Sequence, residues 1–218
     1  MTIHLQREIE KLKKDLLLIC SIVEEQVEMA IRALLDRDTV LAQKVVSGDA
    51  DVDRREIEVE EECLKTLALH QPVANDLRML IAALKINNDL ERIGDLAVNI
   101  AREAEAFAAE PPVDVPIDVG GMWEKTQKML RDSVDALVNL DVALAADVCR
   151  RDDEIDAMKH DMRIVIEAAI RSTPDRITAL LKLMAVCRNL ERIADRATNI
   201  AEDVIYMVEG KIVRHHKD

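Results

Sequence analysis

The sequence predicts an all-α protein: six long helices arranged as two tandem three-helix bundles. Three observations point there. Apolar residues recur at steps of three and four over long stretches, the period of an amphipathic helix. Only three residues are aromatic while 49% of the chain is apolar, so the core must be built from Leu, Ile, Val, Ala and Met. Such a core suits helices packed along their length better than a sheet sandwich. The chain also carries one segment twice. DLERIGDLAVNIA at 89–101 and NLERIADRATNIA at 189–201 agree at nine of thirteen positions, 100 residues apart.

The first helix is marked by Leu5, Ile9, Leu12, Leu16, Ile19, Val23, Val27, Ala30 and Leu34. A polar turn follows at Asp36, Arg37 and Asp38, and a second helical pattern runs through Val45, Val52, Val59, Cys63 and Leu67. Pro72 should break or start a helix. The third helix then extends to about Phe107, its core face formed by Ile86, Leu90, Ile93, Ala97, Ile100 and Ala104. Three prolines and two glycines in AAEPPVDVPIDVGG interrupt the periodicity and mark the one clear linker. Three more helical patterns follow, near 121–140, 142–171 and 175–210. For the last of these, Ser172 or Thr173 is the expected N-cap and Pro174 the first helical residue. The units are therefore 1–108 and 120–218, joined by a linker at 109–119. Asp49 and Asp53 fall on Asp152 and Asp156 at an offset of 103, and the signature helices align at 100. The difference lies in the longer HQPVANDLR connection of the first unit.

Composition excludes several functions. The net charge is −13 and no basic stripe with interleaved aromatics exists, which argues against direct nucleic-acid binding. An acidic protein attracts cations and basic partner surfaces. Cys20, Cys63, Cys149 and Cys187 are scattered singly without a C-x-x-C pair, so they read as reduced thiols filling a core. The run LLLIC is too short for a membrane span and lacks the flanks of a signal peptide; a soluble, cytoplasmic protein is expected. No histidine stands three residues after a glutamate, so the Glu-x-x-His pattern of di-iron oxidases is missing. His160 lies four residues after Asp156 and reads as an exposed histidine, and the terminal RHHKD, with His215 and His216, as a solvated tail. There is no glycine-rich phosphate loop and no serine or cysteine with a recognisable base partner, so nucleophilic catalysis has no support.

The acidic residues form rows. On the second helix Asp49, Asp53, Glu56 and Glu60 fall within about 60° of one another. Val45, Val52 and Val59 flank the row on one side, and Val46, Ile57 and Leu64 on the other. On the third helix Glu91, Asp95 and Asn99 continue a stripe begun by Leu77, Ile81 and Leu84. The sixth repeats this with Glu191, Asp195 and Asn199 after Ile177, Leu181 and Met184. Carboxylates stacked four residues apart repel, by about 0.2–0.5 kcal/mol per pair even when exposed, and desolvation adds to the cost of their charged forms. A positive partner is needed. It is either arginine, with Arg78, Arg92 and Arg192 as candidates, or metal held by oxygen ligands from two facing helices. The second unit has fewer acids, because Glu56 and Glu60 map onto Lys159 and Arg163, and Asp89 onto Asn189.

QPVANDLR, the paired LERIGD and LERIAD segments and NIAEDVIYMVEG resemble the PhoU family over essentially the whole chain. The resemblance implies two three-helix bundles related by a pseudo-two-fold axis. It also implies multinuclear iron or zinc clusters bound by E/D-x-x-x-D motifs; magnesium and manganese are further candidates for sites built from oxygen ligands. Those motifs match Asp49 and Asp53, Glu91 and Asp95, Asp152 and Asp156, and Glu191 and Asp195, with Asn99 and Asn199 one turn further on as additional ligands or orienters. The implied function is non-enzymatic regulation of phosphate uptake, coupling the ATPase subunit of a phosphate ABC transporter to a sensor histidine kinase, with membrane contact only through those partners. A homodimer is a further expectation. A carboxylate-bridged metalloenzyme and a purely structural helical adaptor are the alternatives.

Overall fold

The computed structural model describes residues 3–114 and 117–210. It contains six long α-helices and, among the described residues, no strand: α1 (Ile3–Asp36), α2 (Thr39–His70), α3 (Ala74–Ala109), α4 (Val119–Asn139), α5 (Val142–Ser172) and α6 (Ile177–Glu209). His215 and His216 lie outside the described residues.

Local sequence explains where the helices end. Arg37 and Leu140 take left-handed backbone conformations (φ 56° and 55°), and the next residues, Asp38 and Asp141, cap the following helices. Their carboxylates accept from Leu41 N and Leu144 N, each at 3.0 Å. A side-chain acceptor here satisfies one of the donors a helix start leaves orphaned. The two turns stand 103 residues apart, so the duplication extends to cap chemistry. Arg37 also closes the far end of the first unit. Its Nη2 donates to the Phe107 and Ala108 carbonyls at 3.0 and 3.1 Å and to that of Glu110, and its guanidinium lies over the Phe107 ring. A cation on the last carbonyls of α3 suits the negative end of that helix. Gln71 ends α2 in a left-handed conformation just before Pro72, as the proline predicts.

The start of the last helix differs from expectation. Pro174–Arg176 form a 3-10 turn, and α6 begins only at Ile177. Thr173 stands at the N-cap position of that turn and Pro174 is its first residue, as expected, but no side chain caps it: the Ser172 and Thr173 hydroxyls both donate backward to the Ala169 carbonyl, at 3.1 and 2.8 Å. Hydroxyls at the end of one helix can bond the preceding turn instead of the next helix, and here they do.

In the first unit α3 packs on α1 and α2, and in the second α6 packs on α4 and α5. The units meet chiefly through α3 against α6, with α1 touching α4. Pairs across the seam show that α3 and α6 run antiparallel. Lys85 meets Asp203 at 3.1 Å, Asp89 meets Arg196 at 3.1 Å, and Glu103 meets Lys182 at 3.0 Å. Glu103 and Asp203 are equivalent positions in the repeat, and each takes a lysine from the opposite helix, which is the behaviour of a pseudo-two-fold axis. Glu24, largely buried on α1, crosses to Arg131 on α4 at 2.9 Å. The core face predicted for α3 is fully inside, and its counterparts Ile193, Ala197, Ile200 and Val204 line α6 in the same way.

Candidate metal centre

The second and third helices carry their acids on the edges of the faces they turn to each other. Val45, Val52 and Val59 sink into the core beneath the α2 row, which holds Asp49, Asp53, Glu56 and Glu60 at the surface of the bundle. On α3, Leu90 and Ile93 are buried, and the helical twist places Glu91 and Asp95 opposite that row. The carboxylates feel one another across the helix pair. Glu91 is pushed above the usual carboxylate range by burial first, then by Asp95, with Asp53 and Glu56 adding and Arg92 opposing. Asp49 is raised by burial, Asp53 and Asp95, against Arg102. Glu56 is raised by burial, then Glu60 and Asp53. The structure thus gathers Asp49, Asp53, Glu56, Glu91 and Asp95 into one field, with Glu60 at its end beside Glu56. Asn99 is exposed one turn beyond Asp95.

Arginine neutralises only part of this field. Arg92 lies 3.5 Å from Glu91 and 3.2 Å from Asp95, through exposed contacts of the kind worth about 0–1 kcal/mol. Arg78 is engaged elsewhere, on the Met207 carbonyl and Asn75. Among the described residues Asp49, Asp53, Glu56 and Glu60 have no lysine or arginine within ion-pair distance. Oε2 of Glu91 is buried and receives no hydrogen bond. A buried carboxylate oxygen whose ion-pair contact is the long one to Arg92 Nε, facing a row of unpaired carboxylates, fits a cation that would bind through oxygen alone. Among the described residues no three acidic, histidine or cysteine side chains already converge as a metal cage. The site is two opposed rows, and a cation would draw them together.

The second unit repeats the arrangement with a different charge balance. Asp152, Asp156, Asp195 and Asn199 line a groove of about 830 Å3, which α3 completes with Asn88 and Asp89. Asp195 is exposed as a residue, yet its carboxylate is pushed up to about 6, by desolvation first, then by Glu191, Asp152 and Asp156. Lys159 opposes that shift. Its ammonium lies 2.5 Å from Glu191 and 3.3 Å from Asp156, so a protein cation already occupies the middle of the cluster. Arg163, which stands where the first unit has Glu60, meets Glu167 at 3.6 Å on its own helix. Among the described residues Arg192 has no ion-pair partner, so it does not supply the network available to it.

The cysteines contribute no soft ligand. Cys20, Cys63 and Cys187 are buried and Cys149 half-buried, and all are free. Burial pushes the thiols up, Cys63 to about 12 and Cys149 and Cys187 to about 11, so none is a ready thiolate. His160 is exposed.

Sequence reasoning missed the seam pairs. Asp89 is buried against Arg196, and Lys85 holds the buried Asp203. The divergence of Asp89 to Asn189, Leu96 to Arg196 and Lys85 to Ala185 between repeats was the available signal, but it does not reveal which helices cross.

Two stretches of the chain, 16–104 and 119–204, match the PhoU domain. A phosphate-specific transport system accessory protein PhoU homologue from Aquifex aeolicus is 37% identical over 209 residues, covering 96% of this chain and 95% of that protein. A homologue of the same description from Pseudomonas aeruginosa is 37% identical over 95% of this chain and 86% of its own length. The crystal structure of PhoU from Pseudomonas aeruginosa superposes with a TM-score of 0.89 at 36% identity, covering 94% of this chain and 99% of that one. The phosphate transport system regulatory protein PhoU from Streptococcus pneumoniae superposes with a TM-score of 0.87 at 25% identity. With two PhoU domains, each in a three-helix unit, and this likeness across nearly its whole length, the chain belongs to the PhoU family of accessory and regulatory proteins, which are not enzymes.

Proposed function

We propose that this protein restrains the phosphate-starvation response by coupling the ATPase subunit of a phosphate ABC transporter to a sensor histidine kinase, in the cytoplasm, with cations seated on its acidic rows. The observation that carries the reading is its likeness, over nearly the whole of both chains, to proteins described as phosphate transport accessory and regulatory proteins. Physical features support it. Among the described residues no helix is long and apolar enough to cross a membrane, so contact with membrane complexes would run through partners. Large apolar side chains remain exposed beside the acids: Ile57 and Leu64 on α2, Leu77 and Ile81 on α3, and Ile177 and Leu181 on α6. Exposed apolar strips rimmed by charge are the surfaces on which protein partners dock, and a second copy of the chain could use them too.

In this reading the acidic rows hold iron or zinc, or magnesium or manganese, and the bound metal neutralises the charge that α2 and α3 would otherwise set against each other. The chain's own residues do the rest. The valines under the α2 row fix its helix against the core, and Leu90 and Ile93 fix Glu91 and Asp95 opposite it.

Deleting the gene should raise expression of phosphate-starvation genes in phosphate-rich medium, and restoring it should return that expression to the repressed level. Unchanged expression in a strain with no second copy of the gene would reject the regulatory role.

A further inference from the structure

A buried amide in the first unit has no partner. Gln26 on α1 is 4% exposed, and among the described residues its side chain makes no hydrogen bond; Oε1 is wholly enclosed. Two glycines in helix interiors make room for it. A Cβ on Gly48 of α2 would lie 3.3 Å from Gln26 Nε2, and one on Gly94 of α3 would lie 3.7 Å from Oε1 and 3.3 Å from a Val52 methyl. Glycine within a helix is unfavourable, and a buried amide without partners is more so.

The duplicated unit shows that the fold does not require this arrangement. At the offset of 103, Gln26 falls on Met129 and Gly48 on Arg151, and at the offset of 100, Gly94 falls on Ala194. Met129 and Ala194 are buried apolar side chains, and Arg151 turns to Asp132 and Asp147. Where the amide is absent, so are both glycines.

The amide borders a cavity of about 440 Å3 between α1 and α2. Lys44, Arg54 and Arg55 line it against Glu25 and Asp51, three positive charges to two negative, in a protein whose net charge is −13. Arg54 is bound to Asp51 at 2.6 Å. Lys44 and Arg55 have no ion-pair partner among the described residues; on this lining Glu25 is the unpaired acid, and Arg55 also borders a second cavity that carries Asp15, Glu58 and Glu61. The free groups are thus two cations, the Glu25 carboxylate and the amide N–H donor of Gln26, one net positive charge in all. A carboxylate would offer two oxygens to these three donor groups; a phosphoryl group offers three, one each for Lys44, Arg55 and the Gln26 amide.

We propose that this groove binds a phosphoryl group, carried by inorganic phosphate or a phosphomonoester, with Lys44 and Arg55 neutralising its charge and Gln26 Nε2 donating to one oxygen. Ile22 and Met29, also on the lining, would border the body of an ester. The site is separate from the acidic rows and does not depend on the metal reading.

Isothermal titration of the full chain with inorganic phosphate, and separately with adenosine monophosphate, tests this with and without a chelator present. Saturable binding is expected in both conditions. Gln26→Met with Gly94→Ala, which rebuilds the packing of the second unit, should weaken it at least about tenfold while the thermal midpoint holds or rises, and Arg55→Gln, at the surface, should weaken it comparably. Tighter binding of the monophosphate would identify an ester as the ligand, and equal affinity would identify phosphate itself. No saturation by about 10 mM of either probe, binding abolished by the chelator, or binding untouched by both variants would overturn the proposal.

Discussion

Leu90→Ala should destabilise the protein by about 2–5 kcal/mol, the range for emptying a fully buried leucine site that cannot collapse. Leu90 has no exposed surface and sits on α3, the helix that packs on α1, α2 and α6 at once. Close packing on every side leaves little room for relaxation, so most of the vacated volume should persist as a cavity. Stabilities of folded domains are about 5–15 kcal/mol, so the loss is a large share of the total. Denaturant unfolding followed by circular dichroism would read it as a lower midpoint with an unchanged slope. A second consequence separates this site from ordinary core positions. Glu91 is the next residue, so a loosened α3 should also weaken cation binding at the first acidic site. The exposed Leu69→Ala, by comparison, should shift the midpoint little, because that side chain is 69% open to solvent.

Lys159→Glu should create a stronger cation site in the second unit. Lys159 stands where the first unit has Glu56, and its ammonium bridges Glu191 and Asp156. A fixed positive charge there opposes a metal ion directly; two unit charges at 4 Å interact by about 4 kcal/mol at an effective dielectric constant of 20. Replacing it with a carboxylate removes that opposition and adds a ligand. Affinity for a divalent cation such as manganese should rise by at least about tenfold, or about 1.4 kcal/mol, measured in a Glu91→Ala/Asp95→Ala background that silences the first site. Without metal the same variant should unfold at a lower temperature, because Glu191 and Asp156 lose their counterion and gain a neighbour of like charge. Unchanged or weaker affinity would show that Lys159 is not what limits the second site.

The helices were legible because each presents a continuous apolar face, and the periodicity of Leu5 through Leu34 or Ile86 through Ala104 needs no tertiary information to read. The acidic rows were legible for the same reason: a spacing of four fixes which side chains share a face of one helix. That Glu91 and Asp95 would stand opposite Asp49, Asp53 and Glu56 followed from α2 and α3 being antiparallel neighbours joined by a short connection. What lay beyond reach depends on contacts between distant helices. Arg196 against Asp89 and Glu24 against Arg131 each join residues 107 apart, and nothing in either segment names its partner. The Gln26 amide is similar: a glutamine on the inner face of α1 reads as an irregularity until Gly48 and Gly94 are seen on either side of it. The missing side-chain cap at Ser172 and Thr173 has a local cause. Both a forward cap and a backward bond to Ala169 satisfy these hydroxyls, and the sequence does not rank them.

The acidic rows as cation sites are the core of the account, and the metal content of the purified protein tests them most directly. Wild type, Glu91→Ala/Asp95→Ala and Glu191→Ala/Asp195→Ala should be prepared without added metal, their helix content checked by circular dichroism, and their iron, zinc, manganese and magnesium measured per chain by elemental analysis. Bound metal is expected in the wild type, with a large loss in the first variant and a smaller loss in the second, where Lys159 already supplies positive charge. A wild type that holds no metal, even when exposed to micromolar free cation, or variants that hold as much as the wild type, would contradict it, leaving the carboxylates as solvated acids tempered by Arg92.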